Sequence, residues 1–351
     1  MSNMSIQIEI FLPACYTFVY FLYIIAVNTL FLRHFACFVA GITQNLVDVF
    51  TRHRIITIYV LCILHNYISS LHCSDVPTGT FKGGFFMELK KLIYTVDADG
   101  IAVITMNYMK NLNAIDEQMA DELMYVVDAA EKDPNVKVVV LKGTDRAFSA
   151  GGDIGYFYDL IQAGGEVNMD GLIGKVGVVA DGLKRMGKLV ITSVCGASAG
   201  AGVSLALGGD FMICADNAKF ILAFVNIGLV PDTGATYLLT KSLGTARTME
   251  LAATGRPVSA EEAKELGLAY KVVAKEELDE ATMKFARKLA AGPLLSYKNI
   301  KKQIYDAAYS DYKQWLAETE IPTQRECAAS MDFQEGCKAF MEKRKAHFEG
   351  K

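Results

Sequence analysis

The feature that most constrains this 351-residue chain is a run of very small residues after a strand-like segment. Leu189–Val194 is apolar and rich in β-branched residues, and residues 195–202 read Cys-Gly-Ala-Ser-Ala-Gly-Ala-Gly. A turn without large side chains lets another backbone or a ligand approach its main chain closely. Where such a turn opens a helix, its free N–H groups can also hold a negative charge. Tight helix packing without chemistry is the alternative interpretation.

Charged residues divide the chain into two parts. Residues 1–86 hold four of the 35 basic and three of the 39 acidic residues, which leaves 31 basic (35 − 4) and 36 acidic (39 − 3) residues for the rest. The resulting net charge of −5 (31 − 36) gives no electrostatic argument for nucleic acid as a partner. The cysteines after residue 86 lack metal-ligand spacing, so we expect no metal site and a cytoplasmic protein with reduced thiols.

The first 86 residues form an apolar extension with two interpretations. Residues 10–32 are 23 residues without a charge, which is long enough for a helix to cross a membrane and anchor the protein. Alternatively, the codons for Lys82, Gly83 and Gly84 can form a purine-rich ribosome-binding sequence just before Met87. The upstream segment would then be mistranslated non-coding DNA. We favour Met87 as the true start, so a membrane partner is expected only if residues 1–86 exist in the native protein.

From Met87 onward, strand-like and helical patterns alternate. Continuous apolar runs at 136–141 and 189–194 are typical of buried parallel strands, and residues 116–130 have helical spacing. This alternation predicts an α/β fold with crossover connections in residues 87–275. Residues 276–351 have a helical pattern almost to the end, and the conformation of the loop at 156–174 is left open.

Two motifs carry a resemblance to a known family. Residues 147–153 read Ala-Phe-Ser-Ala-Gly-Gly-Asp, and the small-residue run at 195–202 follows at the matching separation. Two further segments, residues 107–114 before these motifs and residues 228–234 after them, also match. The sequence of Met87–Lys351 therefore resembles the crotonase (enoyl-CoA hydratase/isomerase) superfamily. The resemblance implies a crotonase-like spiral of ββα units with a helical C-terminal part. That part would serve oligomerisation and the CoA site, usually in homotrimers or hexamers.

The resemblance also implies a substrate and a way to activate it. An acyl-CoA thioester reacts next to its carbonyl when two backbone N–H groups stabilise the enolate oxygen. By family position these oxyanion-hole donors are Ala150 and Ala201, and no cofactor is needed besides the coenzyme A thioester itself. Tyr108 and Met109 replace the family's usual Arg and Pro. Candidate CoA-binding residues are Lys110, Asn113, Ser149 and Lys343.

The acids distinguish the members of the family. Hydratases carry two glutamates, at positions occupied here by Ser204 and Phe224, so simple water addition is not expected. Asp232 is the acid that remains, and its surroundings are most similar to ring-epoxide isomerases of phenylacetyl-CoA breakdown. One carboxylate that moves a proton between two carbons is enough for an isomerase. A helix cap is the alternative role for Asp232, since Asp is a favoured N-cap residue.

Our leading hypothesis is therefore an acyl-CoA isomerase that shifts a double bond or rearranges a ring epoxide. A hydratase, or a hydrolase or dehalogenase that uses the same Asp, is the alternative within the family. A non-catalytic acyl-CoA binding or scaffold protein is the alternative of another class. Core packing is an equal alternative for two of the residues expected in the substrate pocket, Phe224 and Tyr237, and a structural role is favoured for Asp153. The expected pocket residues are Gly152, Asp153, Ser204, Phe224 and Tyr237.

Overall fold

The structure is a computed structural model that describes residues 87–164 and 167–350. The interpretations of residues 1–86, including the membrane span at 10–32, lie outside the described residues. Within the described ranges, none of the helices combines the length and apolar character required to cross a bilayer.

In these ranges, ten strands form two sheets. The larger sheet has the order β1-β2-β3-β5-β7-β10, and the smaller sheet has the order β4-β6-β8-β9. The strands are β1 Leu92–Val96, β2 Ile101–Met106, β3 Val138–Lys142, β4 Ala147–Ser149, β5 Leu189–Val194, β6 Ala197–Ala199, β7 Phe211–Ala215, β8 Lys219–Ile221, β9 Pro257–Ser259 and β10 Lys271–Val273.

Helices connect and cover these strands. The helices are α1 Glu117–Lys132, α2 Ile154–Gln162, α3 Asp170–Arg185, α4 Ala201–Leu207, α5 Ala235–Leu243, α6 Thr245–Thr254, α7 Ala260–Glu265, α8 Leu278–Ala290, α9 Leu294–Ala308, α10 Tyr312–Trp315, α11 Ile321–Ala328 and α12 Met331–Met341. A π-helical turn at Leu316–Glu320 joins α10 to α11, and 3-10 turns lie at Met109–Asn111, Ala223–Ile227 and Lys275–Glu277.

Local chemistry explains where the first elements begin. β1 and β2 pair antiparallel around a turn in which Gly100 has φ +82° and the Asp97 carboxylate accepts from the N–H of Ile101 at 2.9 Å. Asp116 caps α1, because its side chain accepts from the N–H of Met119 at 3.0 Å. From β2 onward the larger sheet is parallel, so the predicted α/β architecture is confirmed.

The chain steps repeatedly from one sheet to the other. β3, β5 and β7 of the larger sheet are each followed by a short strand of the smaller sheet, and β4, β6 and β8 pair parallel to one another. The sharp turn between β5 and β6 needs Gly196, which has φ +65° and would place a Cβ 2.3 Å from the carbonyl oxygen of Arg146. These steps build the ββα spiral and bring β4 beside β6.

Alternate residues of the parallel strands face two different cores. Val139 and Leu141 of β3 belong to the larger core, whereas Val138 and Val140 belong to a smaller core beneath α8. Because both faces of the central strand β3 are covered, its first four residues form a continuous apolar run.

Two differences from the expected elements concern the site. Part of the segment 156–174, left as a loop, is helix α2, and the helix expected to begin near Asp232 begins at Ala235. Asp153 caps α2, since its carboxylate accepts from the N–H of Tyr156 at 3.2 Å.

Candidate active site

A cavity opens between the small-residue helix α4 and the helices α2 and α3. Five of the expected site residues line it: Ala150, Ala201, Gly152, Phe224 and Asp232. The remaining lining is mostly apolar, contributed by Ile115, Ile154, Phe157, Met169, Leu172, Ile173, Val176, Ile227 and Leu229.

Missing side chains allow two backbone segments to meet at one end of this cavity. A Cβ on Gly151, which has φ +87°, would lie 2.6 Å from the carbonyl oxygen of Ala199. A Cβ on Gly202 would lie 2.8 Å from the carbonyl oxygen of Ser149. Real Cβ atoms do not approach other atoms this closely, so the small residues of the motif are a requirement of this contact.

Ala201 presents a free backbone donor at this contact. It is the first residue of α4, where helix geometry provides no carbonyl partner for the N–H. Among the described residues nothing accepts a hydrogen bond from this N–H. An anionic oxygen in the cavity is the kind of acceptor that suits it.

The N–H of Ala150, the expected second donor, is occupied, unlike that of Ala201. It donates to the carbonyl of Leu112 at 3.0 Å, so the structure does not show it as a free donor. Leu112 and Asn113 are both left-handed, with φ 55° and 57°, a conformation that residues other than glycine rarely adopt. The strained pair lies directly beside the expected oxyanion hole.

Asp232 lines the cavity near this contact and is almost fully buried, with 7% of its surface exposed. Its Oδ2 accepts from Nε2 of Gln324 at 2.8 Å, and its Oδ1 has no partner. Helix α5 has Gly234 at its N-cap and no side-chain cap, so the capping role considered for Asp232 is absent. Burial raises the pKa of Asp232 to about 7, because the charged form loses hydration.

Ser204 lies behind Asp232, outside the lining of the cavity. It is fully buried, and its Oγ donates to the backbone carbonyl of Asp232 at 3.1 Å. The hydroxyl of Thr233 lies 2.7 Å from the same Oγ. Ser204 is thus placed to support the Asp232 segment, and it is not among the described residues that line the cavity, where it was expected.

Two further polar side chains reach this segment from the C-terminal helices. Gln324 of α11 contacts Asp232, and both carboxylate oxygens of Glu320 accept from the N–H of Gly234, at 2.9 and 3.0 Å. Burial and the charge of Asp232 raise the pKa of Glu320 to about 9. No motif reveals either residue; the local signal is Pro322, which interrupts the hydrogen bonding of a helix.

Tyr237 and Asp153 lie elsewhere than expected. Tyr237 is on the face of α5 that packs against Tyr309, Tyr312 and Trp315, with ring centroids 5.1 to 5.8 Å apart, so it does not line the cavity. Asp153 is occupied as the cap of α2 and by Nδ2 of Asn111 at 2.9 Å. The structure thus gives both residues structural contacts, and the motif at 147–153 reaches the cavity through Ala150 and Gly152.

The expected CoA-binding residues divide into buried and exposed pairs. Asn113 donates to the carbonyls of Ala147 and Phe148, at 3.1 and 3.2 Å, and Ser149 donates to the carbonyl of Asn113 at 2.7 Å. Asn113 and Ser149 are fully buried in this network, so their side chains are occupied with backbone groups of the protein. Lys110 and Lys343 are exposed, and their contact with CoA stays a prediction.

Comparison with known proteins identifies the class to which this fold and site belong. The model of the family described as enoyl-CoA hydratase/isomerase matches residues 97–351. The chain therefore belongs to the enoyl-CoA hydratase/isomerase family. An enoyl-CoA hydratase structure from Mycobacterium avium subsp. paratuberculosis superposes with a TM-score of 0.67 at 29% identity, covering 75% of this chain and 100% of that chain. The crotonase-like fold is thereby confirmed.

Similar curated proteins include isomerases and hydratases. The trans-2-decenoyl-[acyl-carrier-protein] isomerase of Streptococcus mutans is 34% identical over 76% of this chain and 100% of its own length. The 1,2-epoxyphenylacetyl-CoA isomerase of Escherichia coli is 36% identical over 72% of this chain and 96% of its own length. A probable enoyl-CoA hydratase of Rhodobacter capsulatus is 34% identical over 72% of this chain and 96% of its own length.

Proposed function

We propose that this protein is an isomerase that moves a double bond within an enoyl thioester. The observation that carries the proposal is the placement of a single acid: among the described residues lining the cavity, Asp232 is the only one that titrates. A lone carboxylate can take a proton from one carbon and return it to another. The resulting reaction has no net uptake of water and needs no cofactor.

The proposed reaction uses Asp232 twice. Its ionised carboxylate removes a proton from the carbon between the carbonyl and the double bond of a 3-enoyl thioester, and the electron pair delocalises onto the carbonyl oxygen. Asp232 then returns the same proton two carbons further along the chain, which yields the 2-enoyl isomer. A carboxyl pKa of about 7 suits both steps, because the group is a fair base and a fair acid at neutral pH.

Backbone donors stabilise the enolate in this scheme. The N–H of Ala201 is available without rearrangement, whereas that of Ala150 becomes available when the substrate carbonyl replaces the Leu112 carbonyl. The scheme therefore requires the left-handed Leu112–Asn113 segment to move so that the Leu112 carbonyl leaves this N–H. Donors fixed in a water-excluded site stabilise developing charge far more than water does.

The surroundings of Asp232 favour isomerisation over hydration. Water addition needs a base that activates water and an acid that protonates carbon, and family hydratases use two glutamates for this. Here Phe224 lines the cavity with an apolar ring, and the hydroxyl of Ser204 faces the Asp232 backbone outside the cavity. Neither side chain can act as the second acid.

The apolar wall indicates the acyl group. Most of the lining is aliphatic or aromatic, which suits an unsaturated hydrocarbon chain or an aromatic ring. A ring epoxide is the second candidate substrate, supported by the 36% identity to a 1,2-epoxyphenylacetyl-CoA isomerase. The carrier is proposed to be coenzyme A, with an acyl carrier protein as the alternative suggested by the Streptococcus relative.

The test is a product screen with residues 1–351 and with residues 87–351. Each protein is incubated with 3-enoyl-CoA, 2-enoyl-CoA, the matching carrier-protein thioesters and 1,2-epoxyphenylacetyl-CoA, and products are identified by mass spectrometry and NMR. We expect an isomer of unchanged mass, absent with Asp232→Asn. Water addition without isomerisation would indicate a hydratase, thioester cleavage a hydrolase, and binding without turnover an acyl-CoA binding protein. Assembly into trimers or hexamers is a separate proposal that sedimentation equilibrium tests.

A further inference from the structure

The helix that follows α9 is irregular at the point where it meets the active site. α10 continues through the π-helical turn Leu316–Glu320 into α11, and Pro322 stands at the start of α11. π-helical turns are rare and frequently lie at functional sites. This one places Glu320 and Gln324, which are 2% and 0% exposed, against the segment 230–234.

The orientation of the Gln324 amide is fixed by its neighbours. The N–H of Val230 donates to Oε1 of Gln324 at 3.2 Å, and only the oxygen of an amide can accept this bond. The NH₂ group must therefore face Asp232, where it donates to Oδ2 at 2.8 Å. A flipped amide would lose both bonds, since its NH₂ group would face the N–H of Val230 and its oxygen would face the ionised carboxylate of Asp232.

This hydrogen bond makes the two oxygens of Asp232 unequal. Oδ2 is occupied by Gln324, whereas Oδ1 is buried without a partner. An unpartnered buried carboxylate oxygen is costly, and a substrate proton is a group that relieves the cost. The side of the carboxylate away from Gln324 is thus the side left for chemistry.

Glu320 contacts the segment 230–234 at Gly234, two residues after Asp232. Its carboxylate accepts from the N–H of Gly234, where Thr233 and Gly234 are successively left-handed, with φ 54° and 89°. Side chains from one helix thus contact Val230, Asp232 and Gly234. We call these two side chains, Glu320 and Gln324, the C-terminal clamp.

We infer that Gln324 is a positioning residue that makes Oδ1 of Asp232 the oxygen that exchanges the proton with substrate. The inference deepens the proposed isomerase function and rests on it. Gln324 itself does not touch the substrate, because it is absent from the cavity lining. It acts by orienting the carboxylate and by stabilising its ionised form through a donated hydrogen bond.

Few other groups face Asp232. From α4 comes the hydroxyl of Ser204, and Thr233 contributes a second hydroxyl. From the irregular helix come Glu320 and the ring of Tyr312, which lies against Gly234. Glu320 is the ionisable carboxyl among these groups, and burial together with the charge of Asp232 raises its pKa to about 9, so that it is protonated and uncharged near neutral pH. Gln324 is therefore the main donor to the ionised Asp232.

The test compares Gln324→Met, which keeps the length and removes the donor, with wild type. Gln324→Glu is a second variant, because it keeps the acceptor for Val230 and places a carboxyl against Asp232. Gln314→Met is the matched control: Gln314 lies on the same irregular helix, is exposed, and bonds to Glu318 at 3.0 Å. Circular dichroism establishes that each variant is folded before kinetics are measured.

We expect the midpoint of the kcat–pH profile to rise by about one unit in Gln324→Met, since a hydrogen bond to a charged group is lost. The rise should be larger in Gln324→Glu. At pH 7, kcat should fall about tenfold with KM nearly unchanged, because carboxylate orientation and charge are lost while the pocket is kept. Gln314→Met should leave profile and rate as in wild type. A purely structural Gln324 would lower stability without moving the midpoint.

A measurement without substrate separates this inference from the proposed function. The carboxyl carbon of Asp232 is titrated by NMR in protein labelled with ¹³C at aspartate carboxyls, with Asp232→Asn to assign the signal. A shifted titration in Gln324→Met supports the inference about the carboxylate even if no enoyl thioester is turned over, in which case only the isomerase proposal fails. An unchanged titration in both Gln324 variants would overturn the inference regardless of activity.

Discussion

The two ends of the active site are built in opposite ways. The oxyanion end consists of backbone from 150–152 and 200–202, close-packed because side chains are missing. The acid end consists of Asp232 and the C-terminal clamp, where buried side chains hold one another by hydrogen bonds. One end depends on two backbone segments that can approach because glycine leaves space between them, and the other depends on hydrogen bonds between side chains, such as that between Asp232 and Gln324, which are 92 residues apart.

This difference teaches which changes the site tolerates. A backbone donor remains in place under most substitutions, provided that nothing larger than glycine enters the contact. The pKa of an acid in a buried network changes whenever a neighbour is altered. Without water around the carboxylate, each hydrogen bond from the protein has a large effect on the stability of the charged form. Family members with the same oxyanion end can therefore differ in chemistry through the acid end.

The largest expected effect is the loss of the acid. Asp232→Asn should lower kcat with an enoyl thioester by about 10³-fold, the range expected for removal of a general base, and should leave substrate binding nearly unchanged. Steady-state kinetics and calorimetric binding measure the two quantities. Asp153→Asn is the matched control, because Asp153 caps α2 outside the cavity; its kcat should remain near wild type. Equal losses in both variants would refute a special role for Asp232.

The oxyanion end is tested by adding one methyl group. In Gly202→Ala the new Cβ meets the Ser149 carbonyl at 2.8 Å, so strands and helix must shift. We expect a loss of about 1–3 kcal/mol in the free energy of unfolding, measured by urea denaturation, together with reduced kcat. Gly174→Ala in α3 meets no atom within 4 Å and should be neutral or slightly stabilising, since alanine favours helix. A fully active, stable Gly202→Ala protein would show that the close contact is dispensable.

The raised pKa of Asp232 also has a consequence for stability. Between the unfolded pKa of 3.8 and the folded value of about 7, the folded protein binds more protons, so its stability falls as pH rises through this window. Asp232→Asn should therefore stabilise the protein by a few kcal/mol, about 2–4, at pH 8 and much less at pH 4.5. Thermal unfolding at both pH values measures the difference. Equal changes at both values would contradict a raised pKa.

Much of the framework and Asp232 itself are predictable from sequence, whereas the C-terminal clamp that holds Asp232 is not. β5 spans Leu189–Val194 as expected, and α1 begins after its cap Asp116, because apolar periodicity and capping are local signals. The strands of the smaller sheet are three residues long and partly made of alanine and serine, so neither length nor composition marks them. Gln324 carries no motif, since its role arises only when α11 folds against residue 232.

Tyr237 is a second residue whose role could not be decided from the sequence. The sequence left a pocket wall and core packing as equal alternatives for Tyr237, and in the structure its ring packs against the C-terminal aromatic residues Tyr312 and Trp315. Tyr237→Phe removes its contact with Asp311 and keeps the ring. We expect under about 1 kcal/mol of destabilisation, measured by thermal unfolding, and unchanged preference among acyl chains. A changed chain preference would mean that Tyr237 senses the acyl group after all.

The most direct test of the central claim is to follow one proton. A 3-enoyl thioester labelled with deuterium at the carbon next to the carbonyl is converted in ordinary water, and the product is analysed by NMR. If Asp232 shuttles the proton within a buried cavity, the 2-enoyl product retains deuterium two carbons further along, its mass does not increase by a water molecule, and Asp232→Asn forms it about 10³-fold more slowly. A hydrated product, or conversion by Asp232→Asn at the wild-type rate, would contradict the account.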